Sequence, residues 1–393
     1  MTIAENDPPS LASTDTAPAT SRAAGAPPLL PVTVATAEGA WVTDVEGRRY
    51  LDLTAEPART FGHRHPALVA VATEQLGRLT ATSPAVADDR RNAFAAALAE
   101  LVGAETALPL ITPLEAVDAA LAATARWSQS RSDGSPGGRQ PRVVVAAGSH
   151  ERLVEAGAVT VPFGDIDALD AALGSRGDGA REDGVAAVVL EPAQAARGLV
   201  AAPDGYLDAV RRSCTERGIL FVLDETRSGG GRLGDAVALG DGGAAPDLRI
   251  VGSAFGGGIV PLAAVAGSRA LLDGLPVAAS ASPLAAAIGH RAVEMLATGE
   301  LQTRARALAE HLAARLEPLV GAGVTTVHTA GVWAGLDLDP AVGTAHEVAR
   351  RLVSRGVLVD VAGESTVLIE PTLVIRATEL DWAIEQLRLV LAG

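Results

Sequence analysis

One stretch, residues 219–258, constrains the fold of this chain more than any other. It begins with a short run of strand-forming apolar residues, 219–223, of the kind that is covered on both faces in a parallel sheet. This run brings an acidic pair, Asp224 and Glu225, to its carboxyl end, which is where open α/β sheets bind ligands. A second strand candidate, Leu248–Val251, leads into a glycine-rich turn. The stretch therefore predicts a sheet edge that carries a polar site.

Composition narrows the class of protein. The 393 residues are 48% apolar, which is enough for a sizeable core. The net charge of −15 argues against nucleic acid or an anionic membrane surface as a partner. The single cysteine, Cys214, excludes an intramolecular disulfide framework and a multi-cysteine metal site. Because we find neither a targeting signal nor an uninterrupted apolar span, we expect a cytoplasmic protein. We expect no bound metal, because there is one cysteine and the histidines of the 62–66 turn lack acidic or cysteine companions at ligand spacing.

Several motifs follow one another in the order of a known family. Residues 224–234 read DETRSGGGRLG, and residues 252–258 read GSAFGGG. They resemble the DE(V)QTGFGRTG and GKALGGG segments of class III aminotransferases of the pyridoxal-phosphate fold type I. Residues 44–53 (DVEGRRYLDL), 62–66 (GHRHP) and 191–198 (EPAQAARG) are similar to further motifs of that family. The resemblance covers nearly everything from Pro31 to the end.

The resemblance implies an α/β chain with a fold type I aminotransferase-like architecture. We expect a large domain with a mostly parallel sheet flanked by helices, and a small α+β domain built from both chain ends. The predicted limits are a disordered segment at 1–28, the N-terminal part of the small domain at 29–60, the large α/β domain at 61–297 and the C-terminal small domain at 298–393.

The same resemblance exposes departures from the family's cofactor site. The family lysine that holds pyridoxal phosphate as a Schiff base corresponds to Ser253. All 32 residues counted as Lys+Arg are arginine, so the chain contains no lysine; we explain this by codon bias or by selection against reactive amines. The Ser-Gly-Thr turn that cradles the cofactor phosphate corresponds to residues 112–114, Thr-Pro-Leu, where proline donates no N–H. A phosphate-contacting threonine corresponds to Ala278, and the arginine that binds the substrate carboxylate corresponds to Leu368.

These departures lead to a functional hypothesis. We predict a catalytically degenerate member of the family, which is not a conventional pyridoxal-phosphate aminotransferase and is a structural or regulatory partner in a biosynthetic pathway. Because the family's active site lies at a dimer interface, we expect a homodimer or a heterodimer with an active paralogue. We expect no cofactor, or pyridoxal phosphate held at most weakly and non-covalently by Asp224, which keeps the family position beside the pyridine nitrogen.

Two alternatives stay open. In the first, the chain is a lyase, dehydratase or cyclase that acts on a small molecule. It carries out acid/base chemistry without pyridoxal phosphate in the cleft that corresponds to the family's active site. Its candidate residues are Asp224, Glu225, Arg227, His150, Glu151 and Arg197. In the second, the chain is an aminotransferase that uses non-covalently held pyridoxal phosphate. A purely structural role for Asp224 would be to accept N–H groups from the glycine loop at 229–231.

Overall fold

The computed structural model describes most of the chain. The described parts are residues 30–54, 57–83, 86–131, 142–149, 153–154, 157–174, 184–195, 198–238, 245–275 and 280–393.

The strands of these parts form two large sheets and one small one. In chain order they are β1 (Val34–Glu38), β2 (Trp41–Asp44), β3 (Arg49–Leu53), β4 (Thr106–Leu110), β5 (Arg142–Ala146), β6 (Val159–Val161), β7 (Val185–Leu190), β8 (Ala193–Gln194), β9 (Val200–Ala201), β10 (Leu220–Glu225), β11 (Leu248–Val251), β12 (Ala263–Gly267), β13 (Val324–Ala330), β14 (Trp333–Leu338), β15 (Val357–Ala362) and β16 (Thr366–Ile369).

The helices of the described parts cover these sheets. They are α1 (Pro66–Leu76), α2 (Asp89–Val102), α3 (Pro113–Arg131), α4 (Ile166–Leu173), α5 (Tyr206–Arg217), α6 (Arg269–Leu272), α7 (Pro283–Ala297), α8 (Glu300–Leu316), α9 (Ala345–Val353) and α10 (Ala377–Leu391). Their ends follow local sequence signals. Asp88 accepts hydrogen bonds from two backbone N–H groups at the start of α2, and Gly103 ends that helix in the left-handed conformation.

The large sheet has the strand order β4-β12-β11-β10-β7-β5-β6. The five strands from β11 to β6 run parallel, and β12 is antiparallel to both of its neighbours. Helix α3 packs on one face with the side chains of Val117 and Ala120, and α5 packs on the other with Val210 and Cys214. Strands β7 and β10 are buried along their whole length, as continuous apolar runs covered on both faces should be.

The second sheet is assembled from both ends of the chain, in the order β1-β2-β3-β15-β16-β14-β13. Strand β3 lies parallel to β15, which joins the N-terminal hairpins to the C-terminal strands. Its core surrounds Trp333, which has no exposed surface. Gly335 on β14 brings this sheet against the loop before β9, because a Cβ there would lie 2.1 Å from the carbonyl oxygen of Gly198.

The fold prediction is confirmed: a mostly parallel sheet flanked by helices lies beside a smaller α+β unit built from both chain ends. One boundary differs in a way that affects the site. The central strand was expected to end at residue 223, but β10 continues through Asp224 and Glu225 because these residues pair with Ile250 and Val251 of β11. The acidic pair is therefore part of the sheet and does not lie in the following loop.

Candidate active site

The candidate site lies at the carboxyl edge of the large sheet, where β7, β10 and β11 end side by side. Leu190 pairs with Leu223, so Glu191 and Asp224 occupy the next positions on neighbouring parallel strands. A Cβ added to Gly252, the first residue after β11, would lie 2.7 Å from the Thr226 carbonyl oxygen. This close approach places the following residue, Ser253, at the same edge of the sheet.

Asp224 and Glu225 separate onto opposite faces of β10, because successive side chains of a strand alternate. Glu225 is 1% exposed. Its carboxylate forms an ion pair with Arg249 and accepts a hydrogen bond of 2.6 Å from the Ala238 N–H. Glu225 therefore belongs to a buried structural ion pair and not to one polar cleft with Asp224.

Asp224 is 3% exposed, and its Oδ1 accepts a hydrogen bond of 2.9 Å from the Thr226 N–H. The proposed structural role with the glycine loop is not supported at two of the three glycines. The Gly229 N–H donates to the Glu225 carbonyl oxygen, and the Gly230 N–H donates to the Ala236 carbonyl oxygen. The position at the end of a central strand thus agrees with the site role suggested for Asp224.

Sequence reasoning did not select Glu191 as a candidate, although its motif had been noted. Burial raises the pKa of Glu191 from its ordinary value of 4.5 to about 8; the negative charge of Asp224 adds to this effect, and the positive charge of Arg227 opposes it. A carboxyl group with this pKa holds its proton at neutral pH. The site therefore combines a protonated carboxyl group with a neighbouring carboxylate, an arrangement that is common where proton transfer occurs. The signal in the sequence was a glutamate directly after a fully apolar strand.

Arg227 connects the two sheets. Its Nη2 donates a hydrogen bond of 3.3 Å to Oε1 of Glu370, which follows β16 of the second sheet. Glu370 is 2% exposed, and its Oε2 lies 3.6 Å from Nη1 of Arg232. Burial raises the pKa of Glu370, while the charges of Arg227 and Arg232 lower it. We refer to Glu191, Asp224, Arg227 and Glu370 as the acid–arginine cluster.

The turn before α3, which corresponds to the family's phosphate cradle, binds a side chain of its own. Oε2 of Glu115 accepts hydrogen bonds from the N–H groups of Ile111 and Thr112, at 3.2 and 2.9 Å. The Thr112 hydroxyl accepts a hydrogen bond from the Glu115 N–H in return. These reciprocal bonds form a capping box, in which a carboxylate occupies donors that a phosphate would need.

The remaining sequence candidates divide into two groups. Leu368 is described and lies in β16, 5% exposed, between strands β14 and β15. His150, Glu151, Arg197 and Ala278 lie outside the described residues. The structure therefore brings Asp224 and Arg227 together and separates Glu225 from them. In the described parts of the chain, no group of three or more His, Cys, Asp or Glu side chains is placed to hold a metal ion.

Residues 22–163 and 170–391 match the family model described as aminotransferase class-III, so the chain belongs to this family. It is similar to the ornithine aminotransferase of Bordetella pertussis, with 34% identity over 387 residues that cover 92% of each chain. The ornithine aminotransferase of Bacillus subtilis is 31% identical, with 92% of this chain and 93% of the relative covered.

Solved structures give the same result. Plasmodium falciparum ornithine delta-aminotransferase superposes with a TM-score of 0.83 at 25% identity, covering 92% of this chain and 93% of that one. The N-acetylornithine aminotransferase from Stenotrophomonas maltophilia has a TM-score of 0.81 at 28% identity, with 92% and 96% covered.

These comparisons correct the functional predictions. The hypothesis of a catalytically degenerate partner protein and its stated alternatives are contradicted, because relatives that match over 92% of the chain are named as aminotransferases. The expectations that the chain is not a conventional pyridoxal-phosphate aminotransferase and needs no cofactor are wrong for the same reason, since class III aminotransferases use pyridoxal phosphate. The prediction gave more weight to the four departures at residues 112–114, Ser253, Ala278 and Leu368 than to the similarity along the whole chain.

The described residues fit the ring nitrogen of pyridoxal phosphate, but not its phosphate group or its aldehyde. Asp224 offers a buried carboxylate for a protonated ring nitrogen. The turn before α3 does not fit a phosphate, because Glu115 already takes its donors. Ser253 cannot form a Schiff base, and the sequence has no lysine elsewhere.

Proposed function

We propose that this chain is an aminotransferase of the class III family that uses pyridoxal phosphate and acts on an amino acid with a second amino group, as ornithine has. The observation that carries the proposal is the near-full-length similarity to relatives named ornithine aminotransferase. The buried Asp224 at the carboxyl edge of the large sheet supports it, because this is where α/β folds bind ligands.

In this proposal the chain's own residues bind and orient the reacting groups. Asp224 would pair with the cofactor's ring nitrogen, and Glu191 would hold a proton beside it at neutral pH. The polypeptide has no lysine, so no lysine side chain contributes to this site. Ser253 and Arg227 are further candidate site residues.

The test is amino transfer by the purified full chain. L-ornithine and a 2-oxo acid are supplied with and without pyridoxal phosphate, and the amino acid formed from the 2-oxo acid is measured by chromatography. We expect product that depends on the protein and on pyridoxal phosphate. Asp224→Asn is the matched variant, since it keeps the size of the side chain and removes its charge. Absence of protein-dependent product in every mixture, with the chain shown to be folded by circular dichroism, would reject the proposal.

The assembly is a second part of the proposal. Class III aminotransferases are typically homodimers, and we infer that this chain also self-associates through the same interface. In the described residues, no helix is both long and apolar enough to cross a membrane. Light scattering coupled to size-exclusion chromatography tests the inference; a monomer mass at micromolar concentration would contradict it.

A further inference from the structure

The second sheet lacks the arginine that the family places two positions before Glu370. Leu368 occupies that position, and its side chain is apolar and 5% exposed within the small-domain core. A site that acts on amino acids nevertheless needs a cation for the substrate carboxylate, and arginine binds carboxylates through paired N–H donors.

Arg227 is placed to supply this cation. It follows β10 by two residues and therefore lies at the carboxyl edge of the large sheet, next to Asp224. Its side chain is 34% exposed, whereas the side chain of its partner Glu370 is 1% exposed. The Arg227 side chain is thus partly exposed, while its Nη2 is held by a buried carboxylate that fixes the orientation of the guanidinium.

Arg227 also has hydrogen-bonding capacity left. Its Nη2 donates to Glu370, while its Nε is buried and has no hydrogen-bond partner among the described residues. A buried donor without a partner costs free energy, and a bound acceptor would remove that cost. Glu370 is in addition close to a second arginine, Arg232, so one carboxylate lies between two guanidinium groups.

We propose that Arg227 binds the substrate carboxylate in place of the arginine that is missing at Leu368, and that Glu370 is a positioning residue for the Arg227 guanidinium. The inference rests on the proposed function only in taking an amino acid as the ligand. It assigns the substrate carboxylate to the loop after β10 instead of to strand β16.

The experiment measures binding to the full chain without added cofactor, so that it does not depend on amino transfer. Isothermal titration compares L-ornithine with 1,4-diaminobutane, which has the same two amino groups and no carboxylate. Arg227→Gln removes the charge and restores the residue of the family motif. Arg269→Gln is the control, because Arg269 is an exposed arginine whose ion-pair partner is 4.0 Å away.

We expect wild type to prefer L-ornithine over 1,4-diaminobutane and Arg227→Gln to lose ~10–100-fold in affinity for L-ornithine, which is the range for one charged hydrogen bond. Binding of 1,4-diaminobutane to Arg227→Gln, and both ligands' affinities for Arg269→Gln, should not change. Glu370→Gln keeps an acceptor oxygen, so its loss for L-ornithine should be smaller than that of Glu370→Ala, with no change for the diamine. This ligand-selective order is not expected from general destabilisation.

Equal affinity of wild type for the two ligands, no binding of L-ornithine, or equal binding of L-ornithine by wild type and Arg227→Gln would each overturn the inference. Thermal unfolding of each variant confirms that it is folded. Carboxylate binding that depends on Arg227 without any amino transfer would reject the proposed function and keep this inference. Amino transfer that is unaffected by Arg227→Gln would reject this inference and keep the proposed function.

Discussion

Replacing Glu191 with glutamine should stabilise this protein, and the gain should depend on pH. The folded chain holds Glu191 with a pKa of about 8 against an ordinary value of 4.5. Below pH 4.5 the folded and unfolded states are both protonated, so the side chain causes no penalty. Between pH 4.5 and 8 only the unfolded state releases the proton, so stability falls as pH rises. Above pH 8 both states are ionised and the penalty is constant.

The size of the effect follows from the shift. Each pKa unit corresponds to about 1.4 kcal/mol, so the full difference is on the order of 3–5 kcal/mol above pH 8. Glutamine resembles the protonated glutamic acid in shape and cannot ionise. The stabilisation by Glu191→Gln should therefore be close to zero near pH 4.5 and grow by up to ~1.4 kcal/mol per pH unit until about pH 8.

Urea unfolding of wild type and Glu191→Gln at four pH values between 5 and 9 measures this difference. Glu310→Gln is the control, because Glu310 is exposed on α8 and its replacement removes one carboxylate without changing the site. A stability difference that stays constant with pH, or a variant less stable than wild type at pH 8, would show that Glu191 is not held protonated by burial and by Asp224.

Three further changes test other parts of the structure. Ser253→Lys should create an amine at the carboxyl edge of the large sheet, and after incubation with pyridoxal phosphate and borohydride it should show a cofactor adduct at residue 253 by peptide mass spectrometry, where wild type shows none; no adduct at residue 253 would place Ser253 away from the site. Glu225→Gln should lower the free energy of unfolding by ~3–5 kcal/mol, because it removes the carboxylate charge that pairs with the buried Arg249; a loss under ~1 kcal/mol would contradict this role. Gly335→Ala should lower the thermal midpoint and expose the loop before β9 to protease, because its Cβ would overlap the Gly198 carbonyl oxygen; an unchanged cleavage pattern would contradict the close packing.

Much of the large sheet could be predicted from the sequence because its strands are short apolar runs. The predicted strand Leu248–Val251 agrees with the structure at both ends. Strand β13, Val324–Ala330, was not predicted. Its burial is low because it lies at the edge of its sheet, and its three threonines give little apolar signal. The domain limits 1–28, 29–60, 61–297 and 298–393 remain our prediction.

The candidate site was less predictable, because its contacts depend on tertiary structure. The sequence shows Asp224 and Arg227 near one another, but the partner of Arg227, Glu370, is 143 residues away. The neighbouring positions of Glu191 and Asp224 depend on the register between β7 and β10, and a motif does not contain that information. The separation of Glu225 from Asp224 follows from the alternation of side chains along a strand, but only once β10 is known to include both residues.

In the acid–arginine cluster the positive charge comes from an arginine, and the group that titrates is a carboxyl group and not a lysine amine. The guanidinium of Arg227 gives the site a positive charge. Glu191, in contrast, loses its proton near pH 8 and then adds a negative charge beside Asp224 and Arg227. A carboxylate ligand on Arg227 should therefore bind less tightly above pH 8 than at pH 7, and Glu191→Gln should remove this dependence. Protonation of Glu191, directly after β7, would thus control how tightly this site binds a carboxylate. In the family, the group that gains and loses a proton is the lysine on the loop after β11.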